Sequence, residues 1–181
     1  EILAKKALTV LKLENKKLLP LQTKKSKTLY IGIGISKENS FATSIKDAYG
    51  ADIVIFNFSD SATKADSIAK LTSGYDAVVV GMHNFSRRPA NNFGISEAAL
   101  GLLSKVQGAN TINFCFGNPY ALANLCGANN IVVCYEDDEI TQKAGLQLLQ
   151  GVTQPEGKLP VTVCDNFTFG SGIETASYFN T

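Results

Sequence analysis

Short apolar runs alternate with amphipathic segments along most of this chain. Each run is bounded by polar or glycine positions and predicts a strand that is buried on both faces of a sheet. The predicted strands are Thr28 to Ile35, Ile53 to Phe56, Val78 to Val80, Thr111 to Phe116 and Asn130 to Tyr135. Because helical segments separate them, the strands are expected to run mainly parallel.

The segments between the runs carry signals for the start and end of helices. Serine, asparagine and aspartate side chains cap helix N-termini, and a proline after the cap needs no backbone donor. The predicted helices run from Ser36 to about Tyr49, from Ser61 to Leu71, from Ser96 to about Val106, from Asn118-Pro119 onward, and from Asp137 or Asp138 to about Leu149.

Both ends of the chain carry further patterns. The apolar spacing from Ile2 to Leu13 predicts a helix, which a linker around Pro20 follows. Glu156 to Val163 predicts a short sixth strand, and Pro160 favours an edge position for it. The expected fold is an α/β three-layer sandwich of flavodoxin- or Rossmann-like type. It has a mainly parallel six-stranded sheet with helices on both faces and an edge position for the last strand.

Composition narrows the function classes. The 181 residues are 45% hydrophobic, which is enough for one domain with a core. A net charge of +1 argues against a dedicated nucleic-acid binder. No apolar stretch reaches the roughly 20 residues that cross a bilayer, so no membrane insertion is expected. Lysines crowd the first segment, and we interpret them as a solvated face, with a polyanion-binding strip as the alternative: Lys5, Lys6, Lys12, Lys16, Lys17, Lys24, Lys25 and Lys27.

The four cysteines indicate neither a metal site nor a disulfide framework. They form no CxxC pair and have no histidine-rich neighbourhood, so a zinc ion would lack ligands. Cys115 and Cys134 lie in apolar runs and are expected to be buried like small hydrophobic residues. We therefore expect no disulfide and no metal.

The stretch from Tyr75 to Ile95 is the main candidate for a functional site. Its apolar run stops at Gly81 in a polar loop, and α/β proteins usually place ligands at the end of such a strand. The candidate site residues of this loop and of the next strand end are His83, Asn84, Ser86, Arg87, Arg88, Asn91, Asn92 and Asn118.

The motifs of common cofactor sites are incomplete. Gly32 and Gly34 begin a dinucleotide fingerprint, but Lys37 stands in place of its third glycine, and no phosphate-binding GxxxxGK[ST] loop exists. No cofactor is therefore expected. Cys115 and His83 could form a thiol–imidazole pair, but we interpret them as a buried thiol and a loop imidazole with ordinary hydrogen bonds.

The acidic run from Glu136 to Glu139 follows the fifth strand. Carboxylate pairs suit glycoside hydrolysis, yet a run of this kind also caps a helix and complements its dipole. We interpret the run as capping, because no pair within it stands out as acid plus nucleophile.

Several motifs, in their order along the chain, together resemble one family, the C-terminal α/β sandwich domain of glycoside hydrolase family 3. They are ILAKKALTVLKLENKKLLPL, VVVGMHNFSRRP, FGNPYAL, VVCYEDDEITQKAGLQLLQGVTQPEGKLPVTV and FTFGSGI. The resemblance spans nearly the whole chain. It implies that residues 1–27 are a helix and linker from a preceding TIM-like barrel domain and that residues 28–181 form the sandwich domain.

Membership would assign the covalent chemistry to that barrel. In this family the barrel supplies the aspartate nucleophile of a retaining mechanism, and this chain contains no barrel. The resemblance implies an accessory domain that packs on the barrel and helps shape the substrate cleft. The parent would then be a glycoside hydrolase, and the isolated chain would be inactive.

Arg87 distinguishes two branches of the family. The β-glucosidase branch places a glutamate acid/base in a pattern similar to GEHPYTET, and in GMHNFSRR that position falls on Arg87, which cannot act as an acid/base. The β-N-acetylglucosaminidase branch carries a histidine acid/base on the barrel instead. The resemblance therefore implies a β-N-acetylhexosaminidase that acts on N-acetylglucosamine-containing glycans, with a bacterial periplasmic or cell-envelope location.

Two alternatives stay open. A stand-alone flavodoxin-like module that binds a small molecule or a carbohydrate would have the same fold. A purely structural packing domain would make no contact with substrate.

Overall fold

The structure is a computed structural model, and it describes residues 1–22 and 26–174. Lys24 and Lys25 of the lysine-rich segment lie outside the described residues, as do residues 175–181 of the predicted sandwich domain.

Six strands form one sheet in the order β1-β6-β5-β4-β2-β3. Their bounds are β1 Thr9–Leu13, β2 Thr28–Ile33, β3 Asp52–Phe56, β4 Ala77–Met82, β5 Thr111–Cys115 and β6 Asn130–Val133. β1 pairs antiparallel with β6, and every other pair of neighbours is parallel. The prediction of a mainly parallel six-stranded sheet is confirmed.

Helices cover both faces of this sheet. They are α1 Ile2–Ala7, α2 Ser40–Tyr49, α3 Ala62–Leu71, α4 Ala90–Phe93, α5 Glu97–Lys105 and α6 Glu139–Leu149, with 3₁₀ helices at Thr72–Gly74 and Pro119–Leu125. α2 packs with α6 on one face, and α3 packs with α5 on the other. Within the described ranges, no helix is long and apolar enough to cross a membrane.

The alternation of side chains along β4 explains why two cores form. Val78 and Val80 point into the cluster that contains α3 and α5, whereas Ala77 and Val79 point into the cluster that contains α2 and α6. All six residues of β4 are buried. A parallel strand covered on both faces has this continuous apolar character.

Most predicted caps are present. The side chains of Ser61, Ser96 and Asn118 accept hydrogen bonds from backbone N–H groups of the helices that follow them. The prediction for Ser36 is wrong, because α2 begins at Ser40 and its cap is Asn39, which accepts from the Ala42 N–H at 2.9 Å. Asparagine caps a helix as well as serine does, so the helix can begin four residues later than predicted and still be capped.

The predicted helix from Ile2 to Leu13 is wrong beyond its first turns. α1 ends at Ala7, and Leu8 already has an extended backbone with φ −55° and ψ 129°. The following residues form β1, which covers the open edge of β6. An unpaired edge exposes a row of backbone donors and acceptors, and β1 satisfies them.

The predicted strand from Glu156 to Val163 is also wrong. This segment is irregular and runs beside β1, where the Gly157 N–H donates to the Leu8 carbonyl oxygen. The Ile173 N–H likewise donates to the Val10 carbonyl oxygen. β1, not the segment near the C-terminus, is therefore the edge strand on this side of the sheet.

A disulfide between Cys126 and Cys164 overturns the expectation of none. Cys126 ends the 3₁₀ helix Pro119–Leu125, and Cys164 lies in the irregular segment that returns to it, with a Cα–Cα distance of 6.6 Å. The sequence separation of 38 gave no pairing signal. Cys115 and Cys134 are buried and free, as predicted.

Candidate functional site

Strand register brings the carboxyl ends of β2, β4, β5 and β6 to one edge of the sheet. Ile33 pairs with Met82, Met82 with Cys115, and Cys115 with Val133. The residues that follow these positions therefore emerge side by side at the carboxyl edge. Open α/β sheets bind their ligands at this edge.

His83 occupies the centre of this edge and is fully buried. Its Nε2 lies 2.7 Å from the Tyr30 hydroxyl, and its Nδ1 lies 2.8 Å from Asp137 Oδ1. Burial, with a smaller contribution from Asp137, raises the pKa of Tyr30, so the hydroxyl keeps its proton. A carboxylate beside Nδ1 favours the ring tautomer that carries its proton there, which leaves Nε2 to accept from Tyr30.

Asp137 joins three elements through its two carboxylate oxygens. Besides His83 Nδ1, Oδ1 accepts from Gln142 Nε2 of α6 at 2.9 Å. Oδ2 accepts from the Asn84 backbone N–H at 2.9 Å. Asp137 therefore ties the loop after β4 to the loop after β6 and to the first turns of α6.

Aromatic rings and glycines enclose the imidazole. Phe116 stacks on His83 with ring centroids 4.7 Å apart and planes 11° from parallel. A Cβ at Gly81 would overlap the Tyr30 hydroxyl and lie 2.6 Å from His83 Nε2. Gly34 has φ +91°, and a Cβ there would overlap the His83 carbonyl oxygen. These two glycines leave the space that the buried imidazole and its loop occupy.

A concavity of about 430 Å³, which we call the loop pocket, opens above this network. The loops after β4, β5 and β6 form its walls. Its lining includes Asn84, Phe85, Arg87, Asn118, Tyr135 and Glu136. Aromatic rings combined with amides and charged groups can bind a polar ring-shaped ligand through stacking and hydrogen bonds.

Arg87 and Glu136 meet across the loop pocket. Arg87 Nη2 lies 3.2 Å from Glu136 Oε2, and their side chains are 87% and 58% exposed. The Asn118 side-chain amide donates to the Arg87 carbonyl oxygen at 2.9 Å. Because the ion pair is exposed, it contributes little stability and both groups stay accessible to a ligand.

Backbone strain concentrates in the loops around the pocket. Asn84 has φ +54° and Tyr135 has φ +73°, in the left-handed region that side chains usually avoid. Asn91, Asn92 and Phe93 also have positive φ, so α4 is not a regular helix. Strain of this kind persists where surrounding contacts enforce it, and it clusters at functional sites.

The sequence-predicted candidates separate into three groups. Asn84, Arg87 and Asn118 line the loop pocket, whereas His83 lies buried beneath it and is not an exposed loop imidazole. Ser86, Arg88, Asn91 and Asn92 do not line the pocket. The Ser86 hydroxyl accepts from the Arg88 N–H at 3.0 Å, and the side-chain amides of Asn92 and Asn124 bond to each other.

The capping interpretation of the acidic run is correct for only two of its members. Asp138 caps α6 by accepting from the Thr141 N–H at 2.7 Å, which lowers the pKa of Asp138. Glu139 lies in the first turn. Glu136 and Asp137 instead face Arg87 and His83, because Tyr135 turns the chain just before them.

Several residues of the site carried no usable sequence signal. Tyr30 and Phe116 look like ordinary core positions in apolar runs, and only the register of the strands places them beside His83.

The thiol–imidazole pair with Cys115 is not formed, since Tyr30 and Asp137 hold both ring nitrogens. Burial raises the pKa of the Cys115 thiol to about 12. Across the described part of the chain, no group of three or more His, Cys, Asp or Glu residues could hold a metal ion.

Comparison with known proteins identifies the fold. No protein-family model and no curated protein matches the sequence. A β-N-acetylglucosaminidase of glycoside hydrolase family 3 from Paenibacillus sp. str. FPU-7 aligns over 90% of this chain, with a TM-score of 0.71 and 16% identity. A β-glucosidase from Listeria innocua aligns over 86% of it, with a TM-score of 0.69 and 16% identity. The beta-glucoside phosphorylase BglX aligns over 90%, with a TM-score of 0.64 and 22% identity.

The chain has the fold of one part of these enzymes. It spans only 25–31% of their solved chains, so most of each enzyme has no counterpart here. The three names describe a β-N-acetylglucosaminidase, a β-glucosidase and a β-glucoside phosphorylase. The shared fold therefore does not select one activity.

Proposed function

We propose that this chain is the C-terminal α/β sandwich domain of a family 3 glycoside hydrolase and that it packs on a catalytic TIM-like barrel of the same polypeptide. One observation carries the proposal. Enzymes of this kind align with nearly all of the chain but with less than a third of their own length. That relation is expected of one domain from a larger enzyme.

The chemistry of the loop pocket supports an accessory role. Retaining glycosidases need a carboxylate nucleophile and an acid/base about 5–5.5 Å from it. Here Asp137 accepts from three donors, and Glu136 pairs with Arg87. Asp137 is held by three donors, and Glu136, although exposed, pairs with a cation and not with a second carboxyl group, so we assign the nucleophile to the barrel. The isolated chain is then inactive, and the loop pocket contributes a wall of the substrate cleft.

Arg87 favours the β-N-acetylhexosaminidase branch within this proposal. The β-glucosidase branch would need a glutamate at this position, and a guanidinium cannot replace it as a proton donor. The substrate of the whole enzyme is then a glycan that contains N-acetylglucosamine. The Cys126–Cys164 disulfide supports an oxidising compartment, which agrees with a periplasmic or cell-envelope location.

The test compares the isolated chain with its full-length polypeptide. Both are assayed with p-nitrophenyl N-acetyl-β-D-glucosaminide and, as a matched control, with p-nitrophenyl β-D-glucoside. The full-length protein should cleave the glucosaminide in preference, and the isolated chain should cleave neither. An isolated chain as active as the full-length protein would place the catalytic groups in this domain. A preference for the glucoside would overturn the assignment of branch.

A second candidate function is a stand-alone carbohydrate-binding module. The observation that favours it is the loop pocket itself, which one chain forms from its own residues, with Phe85 and Tyr135 among its walls. Titration of the isolated chain with chitobiose, followed by NMR chemical shifts, decides this point. Saturable shifts at Asn84 and Glu136, together with a coding sequence that holds no upstream barrel, would favour the module over the accessory domain.

A further inference from the structure

The buried imidazole beneath the loop pocket has two physical connections to the pocket walls. The first runs through Asp137, which holds the Asn84 backbone and directly follows Glu136 in the chain. The second runs through Phe116, whose ring stacks on the imidazole and also lines the pocket. A displacement of the ring would therefore move groups on two sides of the pocket.

We propose that His83 is the positioning residue of the loop pocket, and that its Nδ1–H holds Asp137 so that Glu136 stays opposite Arg87. This inference rests on the proposed function, because it takes the loop pocket to be a wall of the glycan cleft. His83 itself makes no contact with the ligand, since its side chain is fully buried.

The geometry indicates that Nδ1, and not Nε2, is the ring nitrogen that positions the pocket wall. Tyr30, the partner of Nε2, belongs to β2 and does not line the pocket, whereas Asp137 does. Loss of the Nδ1 donor would leave Oδ1 of the partly buried Asp137 side chain with the hydrogen bond from Gln142 Nε2. The carboxylate could then rotate away from Asn84, and the turn at Tyr135 would lose one of its fixed points.

Two substitutions separate the nitrogens. The amide of an asparagine can place a donor where Nδ1 lies, whereas a glutamine reaches the place of Nε2. His83→Gln therefore keeps a partner for Tyr30 and loses the bond to Asp137, and His83→Asn does the reverse. Asn113→Ala is the matched stability control, because Asn113 is fully buried and bonds to Gln107 and to the Asn130 carbonyl.

The decisive measurement is KM against kcat for p-nitrophenyl N-acetyl-β-D-glucosaminide in the full-length protein. His83→Gln should raise KM about tenfold with kcat changed less than about twofold, because small misplacement of binding groups weakens binding. His83→Asn should restore most of the affinity, and Asn113→Ala should leave KM unchanged. Equal KM values in all the variants, or an equal rise in Asn113→Ala, would overturn the proposal.

A readout that does not depend on catalysis keeps the two proposals distinguishable. The chain contains one histidine, so its ring ¹⁵N signals in the isolated chain are unambiguous. The wild-type signals should report a proton on Nδ1, and His83→Gln should shift the amide signals of Asn84 and Glu136. Unshifted amides would overturn the positioning role. A full-length protein that cleaves no glycoside would instead overturn the proposed function, with the amide shifts still deciding the role of His83.

Discussion

At the scale of single residues, the site depends on small side chains as much as on polar ones. His83 can be buried because Gly81, its neighbour on β4 two positions earlier, leaves room for the imidazole and the Tyr30 hydroxyl. A buried imidazole is tolerated when both nitrogens have partners, and here both do. The glycine and the hydrogen bonds are thus parts of one arrangement.

Gly81→Ala should therefore destabilise the protein strongly. The added methyl group would force apart Tyr30 and His83, and overpacking with loss of buried hydrogen bonds costs about 3 kcal/mol. Gly101→Ala is the matched control, because Gly101 lies within α5 and a methyl group there would extend into open space. It should gain about 0.5 kcal/mol through helix propensity. Urea denaturation measures both, and equal stabilities would contradict the packing described.

The cysteines give a second prediction at this scale. Cys115 and Cys134 are buried and Cys126 is bonded to Cys164, so a thiol reagent should label none of the four in the folded protein. Unfolding without a reductant should expose two thiols, and unfolding with a reductant should expose all four. Rapid labelling of the native protein, or four thiols without reductant, would contradict the assignment.

Stability should also fall in alkali because of the buried thiols. Burial raises the pKa of Cys115 to about 12 and raises that of Cys134 as well. Since an unfolded thiol ionises near about pH 8.5, the contribution of each neutral thiol is complete below that pH and is lost as pH rises towards the folded pKa. Between about pH 8 and pH 10 the loss should approach 2 kcal/mol per thiol. Urea titrations at both pH values measure it, and Cys115→Ala should reduce the decline.

At the scale of elements, the N-terminal segment shows how tertiary pairing overrides a local pattern. Its apolar spacing fits a helix, but β6 would otherwise present an unpaired edge to solvent, and Thr9–Leu13 pairs with it. Val10 is fully buried in this arrangement, whereas Leu3 on α1 is 82% exposed. In one continuous helix these two residues, seven positions apart, would lie on the same face.

That contrast can be tested with two equivalent substitutions. Val10→Asp places a charge in the core and should cost several kcal/mol, about 3 or more, or prevent folding. Leu3→Asp should change the free energy of unfolding by less than about 0.5 kcal/mol, since the side chain is exposed. Urea denaturation compares the two. Similar losses in both variants would support the continuous helix and contradict β1.

At the scale of the whole molecule, local signals predict the sheet and its crossovers but not what joins distant segments. The caps predicted at Ser61 and Ser96 are confirmed, because each depends only on residues a few positions away. The Cys126–Cys164 disulfide and the contact between His83 and Asp137 do not follow from the sequence. Both depend on register and on the return path of the chain.

The proposed role of the loop pocket can be tested by substitution of Arg87 in the full-length protein. Arg87→Ala should raise KM for p-nitrophenyl N-acetyl-β-D-glucosaminide about threefold to tenfold with little change in kcat, because it removes an exposed group that binds but does not react. Lys64→Ala removes the ion pair between Lys64, on α3, and Asp60, just before that helix; neither residue lines the loop pocket, so KM should be unchanged.

The free energy of unfolding distinguishes a binding role of Arg87 from a packing role. The Arg87–Glu136 pair is exposed, so its loss should change the free energy of unfolding by less than about 1 kcal/mol, as for Lys64→Ala. A rise in KM without a loss of stability therefore indicates contact between the loop pocket and the glycan. Unchanged kinetics in Arg87→Ala would contradict the binding role of Arg87 and favour a purely structural packing domain.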